Sequence, residues 1–353
     1  MSVTYKLLVL SCVILARSLA AQPSLVVARG LPDEVGPNYN LWNGNGTGSP
    51  GHTHRLMEIG SGMHYWDGNQ WSDSEAVFTP TTNGFVANKV QDKVMLQGDL
   101  SIEGAVNVVT LNGLRLSSTP VGIALYDPVS GNEQVIATIT NSTGVLISSN
   151  QVFYPDCFNG GVCADMVYTL EKGSFSQDVV FKGRMDPTEF GFPTNSRIQI
   201  LTEFYQAPAP ISMSRPLYVE TNQAVRLKKV SPDLVDQVLS FDEFVIGTGN
   251  AYTYPSAANT NGTQAVVAKE FKVIQGRAFL IESVDSPDIR RDLLTLPPCA
   301  GGTASSGMIY RAGKAPAGYA CIPKARAMSA KSARLEQKRQ PKTASLTKTG
   351  RVQ

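Results

Sequence analysis

Seven carboxylates, Asp165, Asp178, Asp186, Glu189, Glu203, Asp242 and Glu243, are scattered through the apolar centre of the chain. Two of them facing each other across a cleft would suffice for acid–base cleavage of a glycosidic bond. Their spacing selects no pair, and a loop-rich surface of this composition carries such acids in any case. The three histidines, His52, His54 and His64, fall within thirteen residues. A His-x-His followed by a third His could hold a metal, but no Glu-x-x-His pattern or carboxylate partner accompanies them. Gly46-Thr47-Gly48-Ser49-Pro50-Gly51 matches the dinucleotide fingerprint in letters only, because Pro50 and its flanks deny it the preceding strand and following helix that the motif needs. A Gly-x-Ser-x-Gly elbow, a His-Glu-x-x-His helix and a phosphate loop are all missing from the sequence. No catalytic, cofactor-binding or metal-ligating residue is therefore assigned, and no cofactor is expected.

Aromatic and sulfur chemistry are more suggestive. Tyr65, Trp66 and Trp71 surround Asp67-Gly68-Asn69, the composition of a hairpin tip. Exposed rings on a rigid β turn stack on sugars or protein partners, whereas packing across the strands is the commoner use. Cys157 and Cys163 bracket the turn-forming Asn159-Gly160-Gly161, and Cys299 and Cys321 form a second local set. The chain has five cysteines, and four remain if Cys12 leaves with an export leader. An even count in an exported chain suggests disulfides, and the tight loop favours Cys157 with Cys163, though four cysteines allow three connectivities. Their spacings do not match structural zinc sites.

The elements that must position these residues are strands. Beyond Gly60, short runs rich in Val, Ile, Phe, Tyr and Thr recur about every ten residues between turn signals. Asn112-Gly113, Asp127–Asn132 and Gln275-Gly276 are such signals. The pattern predicts an all-β fold, a large antiparallel β-sandwich or two packed β subdomains, with one or two short helices. In residues 264–274 neither alternate face is wholly apolar, so a bulge or an edge is expected there. Helices are expected over Asp288 to Leu296, which Pro297-Pro298 ends, and over Ser231 to Gln237, which opens on Ser-Pro.

At the start of the chain, Lys6, the apolar run to Leu15 and Ser18-Leu19-Ala20 before Ala21 have the form of an export signal. The run is about half the length of a membrane span. Lipidation at Cys12 is not expected, because the apolar stretch before it is too short. Residues 1–20 are thus read as a signal peptide and 21–59 as a Gly/Asn-rich arm, in which Leu25 to Ala28 could add an edge strand. Residues 60–298 are read as the β-rich body, 299–323 as a Cys-containing extension and 324–353 as a disordered basic tail. That tail carries nine Lys or Arg against Glu336, whereas the remainder without signal and tail holds 20 basic and 28 acidic residues. An acidic body gives no reason to expect nucleic-acid binding.

Gly60–Trp66, Gly104–Asn107, Tyr126–Gly131, Gln199–Phe204 and Gly276–Glu282 resemble the uncharacterised β-rich region at the start of large exported bacterial proteins, often upstream of RHS (YD-type) repeats. The likeness runs from about Gly60 to Pro298, and no repeat array follows here. It implies a secreted or cell-surface role and transfers no site residues. The reading is an exported structural or adhesive β module, with a cell-surface glycan or protein as the class of partner and no transmembrane segment in the mature chain. A carbohydrate-binding or carbohydrate-active β-sandwich, using a carboxylate pair and exposed aromatics, is the alternative.

Overall fold

The computed structural model describes residues 7–13, 31–45, 53–228, 232–254 and 264–299. The fold is all-β, and every strand pairing is antiparallel. One long sheet runs through the strands Val145–Ser148, Gln151–Tyr154, Ala164–Glu171, Ser174–Phe181, Leu7–Val13, Gly249–Tyr254, Gln264–Ile274, Arg277–Asp285, Arg197–Gln206, Arg115–Tyr126, Val106–Val109, Lys93–Gln97, Gly84–Ala87 and Thr79–Thr81. Glu133–Thr138 pairs beside this path on Arg115–Tyr126.

The two ends of that path meet. Tyr154 Oη donates to the Gln97 carbonyl at 2.6 Å, the Gly144 amide donates to Gly98 at 2.8 Å, and Asp99 bridges Thr143. The sheet is thereby folded over itself in a sandwich-like arrangement. One core fills the space between its halves, with Tyr154, Tyr168, Phe181, Leu96, Leu125 and Met166 almost fully enclosed. Burying such aromatic and aliphatic side chains is the main favourable term, worth about 1.5–3 kcal/mol for each large one.

The expected strands appear with boundary shifts that have local causes. Leu114–Ser118 and Val121–Tyr126 join as one strand, Arg115–Tyr126, because Pro120, which cannot donate to a ladder, is absorbed by a register shift between Pro120 and Gly122. The Gln275-Gly276 turn takes positive φ at both residues, 50° and 76°, and closes the Gln264–Ile274 and Arg277–Asp285 hairpin. The edge-like character expected of Gln264–Ile274 occurs in its second half. There the Lys269 and Phe271 amides donate to the side chains of Asp236 and Gln237 at 3.0 and 2.8 Å.

The helix expected near the end of the body is present as Ser286–Leu294, with Ile289 and Leu293 buried on one face. The helix expected over Ser231 to Gln237 is instead the start of a strand, Leu234–Phe241, and Ser231 lies outside the described residues. Its burial has period two at the start, with Leu234 and Asp236 in and Val235 out, and it pairs with both Ile211–Tyr218 and Phe244–Ile246. Tertiary pairing overrides the Ser-Pro start signal. A one-turn helix, Gln223–Arg226, lies between these strands with Asn222 capping it.

Part of the segment read as an arm is ordered as a three-stranded sheet, Glu34–Gly36, Tyr39–Asn45 and Thr53–Ile59. Of its Gly-rich centre, residues 46–52 lie outside the described residues. Leu7–Val13, read from sequence as the apolar core of a leader, pairs with Ser174–Phe181 on one side and Gly249–Tyr254 on the other. The Leu25–Ala28 stretch, most of the Cys-containing extension and the basic tail lie outside the described residues. No described helix is long and apolar enough to cross a membrane.

Candidate functional site

Four walls, built from five segments of the chain, enclose a groove of about 760 Å³. One wall is Asn38 with Ser61 and Gly62. A second is the hairpin tip between Ala164–Glu171 and Ser174–Phe181, carrying Glu171, Lys172 and Gly173. The third is Gln91 and Asp92, and the fourth is the Asp242-Glu243 turn. Val94, Val108, Phe175 and Phe244, all buried, supply an apolar floor. A polar rim over an apolar floor is the usual build of a ligand site.

Backbone geometry sets this rim. At Gly62, φ is +63°, and a Cβ there would collide with the Lys172 carbonyl. That close approach is how the N-terminal part is seated against the hairpin tip. Asp242 adopts φ +58° in the two-residue turn joining Leu234–Phe241 to Phe244–Ile246, a conformation Asp tolerates better than most residues. The turn lifts two adjacent carboxylates to the surface, and Asp242 Oδ2 accepts a hydrogen bond from Asn112 Nδ2 at 3.1 Å. Opposite the turn, Asp92 Oδ1 accepts from the Leu111 amide at 3.1 Å. Burial raises the Asp92 pKa above the ordinary carboxylate value, against the lowering by that hydrogen bond, and the charge of Glu243 adds to the rise.

The structure thus brings Asp242 and Glu243 together with Asp92, which the sequence did not single out. Its only sequence signal is a lone acid after the apolar-polar run Ala87 to Gln91. The other five expected acids serve the scaffold. Asp165 accepts from Lys182 Nζ and the Asp156 amide, each at 2.6 Å. Asp186 caps the Pro187–Phe190 turn of 3-10 helix and accepts from Arg290 at 2.8 Å. Burial would raise its pKa, but the Arg290 and Thr188 hydrogen bonds outweigh this and hold it below the usual value. Glu203 binds Arg277 through two nitrogens at 2.5 and 2.6 Å, Glu189 pairs with Arg184, and Asp178 is buried on Ser174–Phe181.

Tyr65, Trp66 and Trp71 form a separate hairpin. Trp66 and Trp71 are cross-strand partners in an edge-to-face contact at 5.3 Å, with Trp66 about half exposed. Asp67 ties the tip by accepting from the Asn69 and Gln70 amides and the Ser72 hydroxyl, which lowers its pKa. These aromatics do not line the groove, so the rings and the carboxylates are not one site.

His64 is buried, its Nδ1 donating to the Gly36 carbonyl at 2.7 Å and its Nε2 facing Asp73 at 3.3 Å. His52 and the His54 side chain lie outside the described residues. Among the described residues no three His, Cys, Asp or Glu converge as a metal site.

The cysteine pairing is corrected by the structure. Cys163 is joined to Cys299, with Cα atoms 5.7 Å apart, whereas Cys157 is free and buried. The Asn-Gly-Gly loop turns tightly, but Lys182 and Gly183 hydrogen-bond to the Cys163 carbonyl and the chain after Leu296 returns to the same place, where the Pro297 carbonyl receives the Arg184 amide. Gly183 leaves room for the bridge, since a Cβ there would clash with both sulfur-bearing side chains. Burial pushes the Cys157 thiol far above its usual pKa, which makes it unreactive. Cys321 lies outside the described residues.

Comparison with family models, curated proteins and solved structures finds no match to this chain.

Proposed function

We propose that this chain is an exported structural or adhesive β module that holds a polar polymer, of the cell-surface glycan class, in the groove bounded by Asp92, Lys172, Asp242 and Glu243. The observation that carries the reading is the convergence of five separate segments on one groove whose rim carboxylates, among the described residues, are left out of the scaffold's arginine and lysine pairs. Acids and amides around an apolar floor suit a ligand with hydroxyls on its edges and carbon on its face. The Cys163–Cys299 bridge supports an oxidising compartment. A glycan array on the exported chain tests this. Binding that is lost in Glu243→Gln supports it, and silence across the array would leave the groove without this class of ligand.

A carbohydrate-active enzyme is the second reading, favoured by one observation: Asp92 has a raised pKa beside Glu243, as one member of an acid–base pair would. New reducing ends released from a bound glycan, and lost in both Asp92→Asn and Glu243→Gln, would move the chain to that class. Binding without cleavage would keep it an adhesive module.

A further inference from the structure

The Leu7–Val13 strand holds an unusual place. Its backbone is laddered on one side to Ser174–Phe181, from Leu8 opposite Phe181 to Val13 opposite Ser176. On the other side it is laddered to Gly249–Tyr254, from Leu7 opposite Tyr254 to Ser11 opposite Asn250. Those two strands meet in the sheet only through this one. Removing it would open a slot two strand spacings wide, about 9–10 Å, with a row of N–H and C=O groups on either side. Yet the same residues are the apolar core of what the sequence presents as a cleavable leader, closed by Ser18-Leu19-Ala20 before Ala21. In a processed chain the slot must be filled again or left as two raw edges in the middle of the body.

We infer that the slot is a strand-acceptor site and that, after processing, it takes Leu25-Val26-Val27-Ala28 from the new N-terminal arm of the same chain. This rests on the export reading above. Three observations single out that occupant. It is an apolar, β-prone run like Leu7–Leu10 and lies just beyond the cleavage point. Its direction is right, since a strand replacing Leu7–Val13 enters beside Phe181 and leaves beside Ser176, close to the Lys172-Gly173 tip.

The reach is right as well. That tip is in contact with Ser61 and Gly62, and the Gly62 amide donates to Asn38 at 3.0 Å, so the chain following Glu34–Gly36 starts near the exit of the slot. With Ala28 beside Ser176, residues 29–33 remain to reach Glu34, a span of up to about 17 Å when extended. An intramolecular donor tethered this closely outcompetes a second copy at ordinary concentrations.

The experiment uses the full chain exported by a bacterial host from its own leader. Intact mass first reads the processing: a product beginning near Ala21 is expected, and one retaining residues 7–13 would overturn the export reading itself. Hydrogen exchange on the processed product then tests the slot. Protection is expected in Ser174–Phe181, in Gly249–Tyr254 and in residues 25–28. Val26→Pro, which denies the slot a central strand, should speed exchange in both flanking strands by about tenfold or more, while Lys93–Gln97 stays protected as the sign of a folded body. Val26→Thr should keep the protection.

Three results would overturn the proposal while leaving export intact. The first is flanking strands unprotected in the processed wild type, and the second is protection unchanged by Val26→Pro. The third is protection that appears only with concentration and dimerisation, which would make a second copy the donor.

Discussion

Two sets of carboxylates in this molecule have opposite fates. Asp236 is fully enclosed, as is its partner Lys269. Its Oδ1 accepts from Lys269 Nζ at 2.7 Å and from the Lys269 amide at 3.0 Å, and its Oδ2 accepts from the Thr248 hydroxyl at 2.5 Å. Both oxygens are engaged, and the carboxylate pins Leu234–Phe241 to Gln264–Ile274. At the far end of the same strand, Asp242 and Glu243 sit on the turn with no lysine or arginine pair among the described residues, facing the partly buried Asp92. The satisfied carboxylate holds two strands together, and the exposed pair is the charge we propose is offered to a ligand. The partly buried charge of Asp92 is the one in the groove that costs the fold stability, since burial disfavours its ionised form.

The sharpest way to break the contrast is Asp236→Ala. It leaves an ammonium group buried without a counter-charge, and should destabilise the chain by about 3–5 kcal/mol, read by denaturant unfolding. A loss below 1 kcal/mol would mean that water reaches Lys269. Next in size is Cys299→Ser. The bridge to Cys163 spans 136 residues of sequence, so its removal should cost about 2–5 kcal/mol when both chains are unfolded without reductant. Equal unfolding midpoints for variant and wild type would remove the bridge from the account.

The smallest effect should have the opposite sign. Asp92 has its pKa raised in the folded chain, so its contribution to stability is fully present below the unfolded carboxylate value and is lost as pH rises through the raised one. Asp92→Asn retains an acceptor for the Leu111 amide without the charge. It should therefore be slightly more stable than wild type at pH 7, with the gap closing as pH falls to about 4. A variant that is less stable at pH 7 would place Asp92 among the structural acids.

How far these features were legible from sequence follows from the range of the interactions involved. The Gln275-Gly276 hairpin and the Ser286–Leu294 helix could be read because turn chemistry and helical periodicity are local. Lys269 looked like a defect in its strand, since the partner that explains it lies 33 residues away. The Cys163–Cys299 bridge and the addition of Asp92 to the groove depend on chain returns over 136 residues and on a hairpin tip from another part of the sheet. Asp242 and Glu243 were two of seven acids from which no pair could be chosen, and Asp92 across the groove was not among the seven. Tyr65, Trp66 and Trp71 were legible as a hairpin, and only the fold shows that they stand apart from the carboxylates.

We propose that this chain meets its ligand in the groove and not at the tryptophan hairpin. A titration of the best array glycan against wild type, Asp242→Asn/Glu243→Gln and Trp66→Ala tests it most directly. The groove variant should bind at least about tenfold more weakly, the scale of one lost charged hydrogen bond, and Trp66→Ala should bind unchanged. Undiminished binding by the groove variant, with loss in Trp66→Ala, would contradict it.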